Sequence, residues 1–128
     1  MGWDTTSDLW SVGAILLELV SGELFFPTHS DYQHLAMIEV AFGRIPSWMV
    51  RYCSRDLKKY FNKDQNLNWP KWCKTRTEVR DVDSFNTIDD LIKSSELKEL
   101  CYNLMEISPS RRMKAAEALE SDFITNFN

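Results

Sequence analysis

The side chains with chemical reach are few and scattered along this chain. His29 follows Pro27 and Thr28, a setting that favours a loop hydrogen bond over a ligand role. His34 stands in a run with helical spacing, where packing or partial exposure is favoured over catalysis. Cys53, Cys73 and Cys101 are odd in number and form no CxxC pair, so free thiols are expected rather than disulfides or zinc ligands. Asp89-Asp90 could hold a cation, but two acids opening a helix more simply complement its macrodipole. Five tryptophans offer stacking surfaces, yet no basic stripe accompanies them, which favours core and hairpin packing over base stacking. GxGxxG, GxxxxGK[ST] and HExxH are all absent, and no Ser-His-acid triad can be assembled. From the residues alone no catalytic, cofactor-binding or metal site is assigned.

The elements that must position these residues are mostly helical. The 128 residues suggest one domain or part of one, and 44% apolar content is enough for a core. The net charge of −4, with acids and bases interleaved, argues against nucleic acid or an anionic membrane as main partner. No secretory or transit segment is read at the start, and the chain is expected to be intracellular. The organising stretch is Leu9–Val20, where only Ser11 and Glu18 are clearly polar. A helix apolar on nearly every face is the centre of a core or a membrane span, and this one is too short to span. Asp4, Thr5, Thr6 and Ser7 offer N-caps, and Gly22 a left-handed C-cap. Gly13 is expected where another backbone comes close.

The spacing predicts a second helix over 32–42, with Leu35, Ile38 and Phe42 on its inner face and Gly43 ending it. A short helix is expected over 47–53. Tyr60-Phe61 and Leu67-Asn68-Trp69, joined by the turn residues 62–66, predict a small β-hairpin. Residues 70–87 read as a polar, irregular loop. Thr87 caps a short helix, and Ser94 or Ser95 caps one carrying Leu97, Leu100, Cys101, Leu104 and Met105. A last helix is expected over Met113–Leu119, with Asp122-Phe123-Ile124 returning to the core. The fold class is mainly α: helices around a buried central helix, with one small β-hairpin insert.

Four signals, in order, resemble the eukaryotic protein kinases. Asp8-Leu9-Trp10-Ser11-Val12-Gly13 matches the D-x-W-S-x-G that opens the central helix of their large lobe. Phe26-Pro27 follows where F-P is common. Ser108-Pro109-Ser110-Arg111-Arg112-Met113 resembles the late D-P-x-x-R motif, and Glu117-Ala118-Leu119 with Asp122-Phe123-Ile124 the closing E-A-L-x-H-P-F. A fifth signal is similar to the E-H-L-A-M-M-E-R signature of the LAMMER, or cdc-like, kinases. His34, Leu35, Ala36, Met37 and Glu39 agree with it, while Gln33, Ile38 and Val40 depart.

The resemblance implies that 1–128 is the C-terminal half of a kinase large lobe, with a family-type insert over 46–87. It implies serine/threonine, dual-specificity kinases that phosphorylate Ser/Arg-rich splicing factors, usually in the nucleus, although a cytoplasmic location is also open. It gives Asp8 the role of accepting hydrogen bonds from catalytic-loop amides, and Arg112 that of pairing with the A-P-E glutamate. Trp10 and Gly13 are motif positions. The glycine-rich loop, strand lysine, H-R-D, D-F-G and A-P-E are not in this sequence. ATP and magnesium are therefore cofactors expected of a complete kinase, not of this chain, which is expected to be inactive alone. Exposed Trp3 or Trp10, an unpaired Asp8 and a solvated Arg112 are expected. So is association with the missing kinase portion, a Ser/Arg-rich protein or itself. The alternative is a non-catalytic, protein-binding module derived from a kinase lobe.

Overall fold

A computed structural model describes residues 4–127, so the expectation for Trp3 lies outside the described residues. The helices in chain order are α1 (Thr5–Ser21), α2 (Asp31–Phe42), α3 (Ser47–Tyr52), α4 (Arg55–Lys58), α5 (Arg76–Asp83), α6 (Ile88–Leu91), α7 (Ser95–Leu104), α8 (Ala115–Leu119) and α9 (Asp122–Thr125). Two compact units hold them: Phe26–Phe85, and the stretch ending at Phe25 together with the chain from Asn86 onward. The expected mainly helical architecture is present.

In the unit built on α1, Asp4 is the N-cap and accepts from the Thr6 amide at 2.8 Å. Gly22 closes the helix at φ 75°, and its amide donates to the Glu18 carbonyl at 2.8 Å. α1 packs against α6 and α7. α7 is capped by Ser94 and buries Leu100, Cys101 and Leu104, with Met105 following, as its stripe predicts. Gly13 faces the end of α7. A Cβ there would collide with Met105 Cγ and lie 3.3 Å from Leu104 Cβ. The close approach expected at Gly13 is real, but its neighbours are side chains rather than a backbone.

Burial of α1 is narrower than its composition suggests. Gly13 and Leu17, one turn apart, are the buried positions, while Ile15 is 52% and Leu19 76% exposed. Helices pack along one line here, so apolar residues off that line stay uncovered. Ile88 and Ile92, flanking α6, complete the core of this unit together with the α7 stripe. The last helical region starts at Ala115 rather than Met113, and Phe123 is only half-buried, edge-on to Phe127.

In the other unit, α2 runs from its Ser30 cap to Gly43, whose amide donates to Glu39. Its buried face is Tyr32, Ala36, Met37 and Ala41, while the expected Leu35, Ile38 and Phe42 are half-buried. The reason is α5, which packs on α2 where an irregular loop was expected. Val82 of α5 joins Ala36 and Met37 in a core flanked by Phe26, Leu67, Trp69 and Phe85. α5 is held by a capping box: the Glu78 amide donates to Thr75 Oγ1 at 3.3 Å, and the Thr75 amide to Glu78 Oε2 at 3.0 Å. The expected hairpin contracts to a single antiparallel bridge, Phe61 with Leu67, around the 62–66 turn. Tyr32 anchors that region. Its hydroxyl donates to the Asn68 carbonyl and accepts from the Trp72 amide at 3.3 Å, and its ring stacks on Tyr60 at 4.6 Å.

Two stability experiments check this packing. Leu17→Ala should cost about 2–5 kcal/mol through transfer and cavity terms, whereas Leu19→Ala should stay within about 0.5 kcal/mol. Equal losses in urea denaturation would contradict one-sided burial. Gly13→Ala should lower the urea midpoint, even though alanine favours helix by about 1 kcal/mol, because the fully buried Met105 has no room to yield. A raised midpoint would show that the approach is not tight.

Candidate functional site

Arg112 is the best-organised polar side chain of the α1 unit. It sits in the turn after α7, where its own amide donates to the Ser108 carbonyl at 3.0 Å. Its guanidinium donates to three backbone carbonyls: Nε to Glu106 at 2.9 Å, Nη1 to Thr6 at 3.0 Å and Nη2 to Ile107 at 3.3 Å. The Trp10 ring lies 5.3 Å from the guanidinium carbon, within cation–π range. The residue is only 9% exposed, so the expected solvated surface charge is instead a buried cation. Burial lowers its pKa, while Asp4 and Glu106 favour its charge from a distance. Arg111, beside it, takes the exposed ion pair with Glu106 at 3.1 Å. Among the described residues no carboxylate comes within ion-pair distance of Arg112.

Thr6 joins this seat to the helix start. Its amide and hydroxyl donate to the Asp4 carboxylate, which holds that carboxyl below its usual range, and its carbonyl receives Arg112. Asp4 and Thr6 were read only as caps; their part in seating Arg112 has no local sequence signal, since it spans 106 residues. Of the motif residues, Trp10 and Arg112 are brought together. Gly13 lies further along α1 against Met105. Asp8 is exposed and has no hydrogen-bond or ion-pair partner among the described residues.

The LAMMER-like residues all lie on α2 but do different work. Ala36 and Met37 enter the core, and Leu35 is half-buried. Glu39 Oε1 accepts the Ile45 amide at 3.1 Å, fixing the turn that leaves the helix. His34 packs on Phe26, ring centroids 4.5 Å apart, and Phe26 stacks on Phe85 at 5.7 Å. Its Nε2 is buried without a hydrogen bond among the described residues, and burial pushes its pKa below the usual histidine range. The imidazole packs against Phe26, in surroundings that disfavour its charged form. His29 is exposed. Asp90 closes a capping box with Thr87, its Oδ2 accepting the Thr87 amide at 2.8 Å, and Asp89 pairs with Lys98 at 3.1 Å. The three cysteines are free, and burial pushes the Cys101 thiol up to about 11. Among the described residues no group of His, Cys, Asp and Glu could hold a metal ion. Arg112 is thus a buried cation held by carbonyls, and no acid–base pair is assembled beside it among the described residues.

Comparison with known proteins identifies this architecture. The protein kinase domain family matches residues 1–124. The serine/threonine-protein kinase AFC3 of Arabidopsis thaliana is 40% identical over 129 residues, covering 96% of this chain and 32% of that protein. The dual specificity protein kinase CLK1 of Homo sapiens is 32% identical, covering 96% of this chain and 25% of that protein. A crystal structure of a kinase domain superposes with a TM-score of 0.90 at 33% identity, covering 96% of this chain and 37% of that one. The chain thus spans about a third or less of the curated relatives it matches. It belongs to the protein kinase family, matching the C-terminal part of the large lobe of the LAMMER branch that the AFC and CLK kinases represent.

Proposed function

We propose that this chain is the C-terminal half of the large lobe of a LAMMER-type, dual-specificity kinase. The complete form phosphorylates Ser/Arg-rich proteins, acts in the nucleus in splicing regulation and uses ATP with magnesium. These 128 residues transfer no phosphate alone. The observation that carries the reading is Arg112: a buried guanidinium held by neutral carbonyls, with no ion-pair partner among the described residues. A buried charge left half-paired is costly, and such a seat suits the carboxylate that the kinase fold supplies from A-P-E. Asp8, exposed at the start of α1, accepts amides from the catalytic loop in the complete kinase on this reading.

A second reading, a protein-binding module, is favoured by the apolar line Val12, Ile15 and Leu19 left uncovered on α1. Both readings predict partnership; they differ in chemistry. Incubated with labelled ATP, magnesium and an Arg/Ser-rich peptide, the chain alone should give no transfer above a blank. Supplying the remaining kinase portion from an AFC- or CLK-type relative in trans should produce transfer. Binding of that portion without transfer would favour the module, and transfer by the chain alone would overturn the proposal.

A further inference from the structure

The strongest unassigned feature belongs to the unit built on α2. A cavity of about 270 Å³ is lined by Val50, Arg51, Lys58, Phe61, Asn62 and Gln65. No acid is among them. The surrounding stretch is basic: from Arg51 to Asn66 five lysines and arginines stand against two acids, Asp56 and Asp64, neither of which lines the cavity. Arg51 comes from the end of α3, Lys58 from the end of α4, and Asn62 and Gln65 from the turn that follows. Three separate segments thus bring polar side chains to one concavity.

Each of these side chains has unused donors. Arg51 and Lys58 make no hydrogen bond or ion pair through their side chains among the described residues. Asn62 Oδ1 is occupied by the amides of Asp64 at 2.9 Å and Asn66 at 3.0 Å, so the free end of that carboxamide is its NH2 group. Gln65 is held at φ 64°, a left-handed conformation uncommon outside glycine, by its amide bond to the Asn62 carbonyl at 2.9 Å. Strained residues of this kind cluster at binding sites. Val50, buried, and Phe61, half-buried, supply apolar wall. Two cations and a carboxamide donor around one cavity match an anion with several acceptor oxygens, to which charge-assisted bonds are the strong ones.

We propose that this cavity binds a phosphomonoester carried on a protein side chain, phosphoserine or phosphothreonine. A monoester carries close to two charges at neutral pH, which suits two cations meeting at one point. A nucleic-acid backbone instead needs a track of cations. The apolar wall suits the carbon stem of a modified side chain, and the cavity has room for it beyond the phosphate. The inference does not depend on the kinase proposal, since a chain that transfers no phosphate can still dock a phosphorylated one.

The test is fluorescence anisotropy with a labelled phosphoserine peptide and its unphosphorylated twin, on the full 128-residue chain. The phosphopeptide should bind at least about tenfold tighter, the difference expected of one added charge-assisted contact set. Arg51→Gln with Lys58→Gln should abolish that difference while leaving the melting temperature unchanged, because both side chains are exposed. Asn62→Asp keeps an acceptor for the two turn amides but puts a carboxylate in the wall, and should also weaken phosphopeptide binding. Equal affinity for the two peptides, or a difference that survives in the double variant, would overturn the proposal. So would inorganic phosphate binding as tightly as the phosphopeptide, or a single-stranded oligonucleotide binding more tightly.

Discussion

The close approach of α1 and α7 at Gly13 sets the geometry of the unit that carries the kinase motif. A side chain at that position would occupy the space of Met105, which is fully buried, and would press on Leu104. With hydrogen there instead, α7 comes near enough for Leu17, one turn further along α1, to be fully buried as well. The same approach brings the turn after α7 back toward the first turn of α1, where Arg112 reaches the Thr6 carbonyl. The motif glycine and the motif arginine therefore serve one arrangement. The glycine sets the distance between helices, and the arginine ties their ends.

That arrangement leaves two kinds of unfinished business on the α1 unit. One is apolar: Val12, Ile15 and Leu19 are exposed along one face of α1. The other is polar: Arg112 holds its charge against carbonyls and an indole face, and Asp8 holds its own in solvent. Both are features that the proposed fit against the rest of a kinase lobe would complete. The α2 unit has another character, with its aromatic anchor at Tyr32 and with Arg51 and Lys58 making no ion pair among the described residues.

Much of this was legible in the sequence, for local reasons. Asp4, Thr87 and Ser94 cap as read, and Gly22 and Gly43 end their helices, because caps are decided within a few residues. The α7 stripe was legible because one face is apolar and the other is not. α5 was missed although Thr75 and Glu78 stand at capping-box spacing; it is short and mostly charged, and its only apolar residues are Val79 and Val82, too few to stand out from a polar loop. Its presence in turn moved the buried face of α2. The partial exposure of α1 was illegible for the opposite reason: a helix apolar all round carries no mark of which line is covered. Of the candidate site, the motif named Arg112 and Trp10, but their meeting and the carbonyl seat depend on contacts a hundred residues apart.

The central claim is that Arg112 sits ready for a carboxylate that the rest of a kinase lobe provides. The most direct measurement is the melting temperature of this chain with and without a segment running from the catalytic loop through A-P-E, repeated with Arg112→Met. A ligand selective for the folded state must raise the melting temperature. The account predicts a rise with the native chain that shrinks sharply in Arg112→Met and when the A-P-E glutamate is replaced by glutamine. A native chain indifferent to the segment, or a rise of equal size in all three cases, would contradict it.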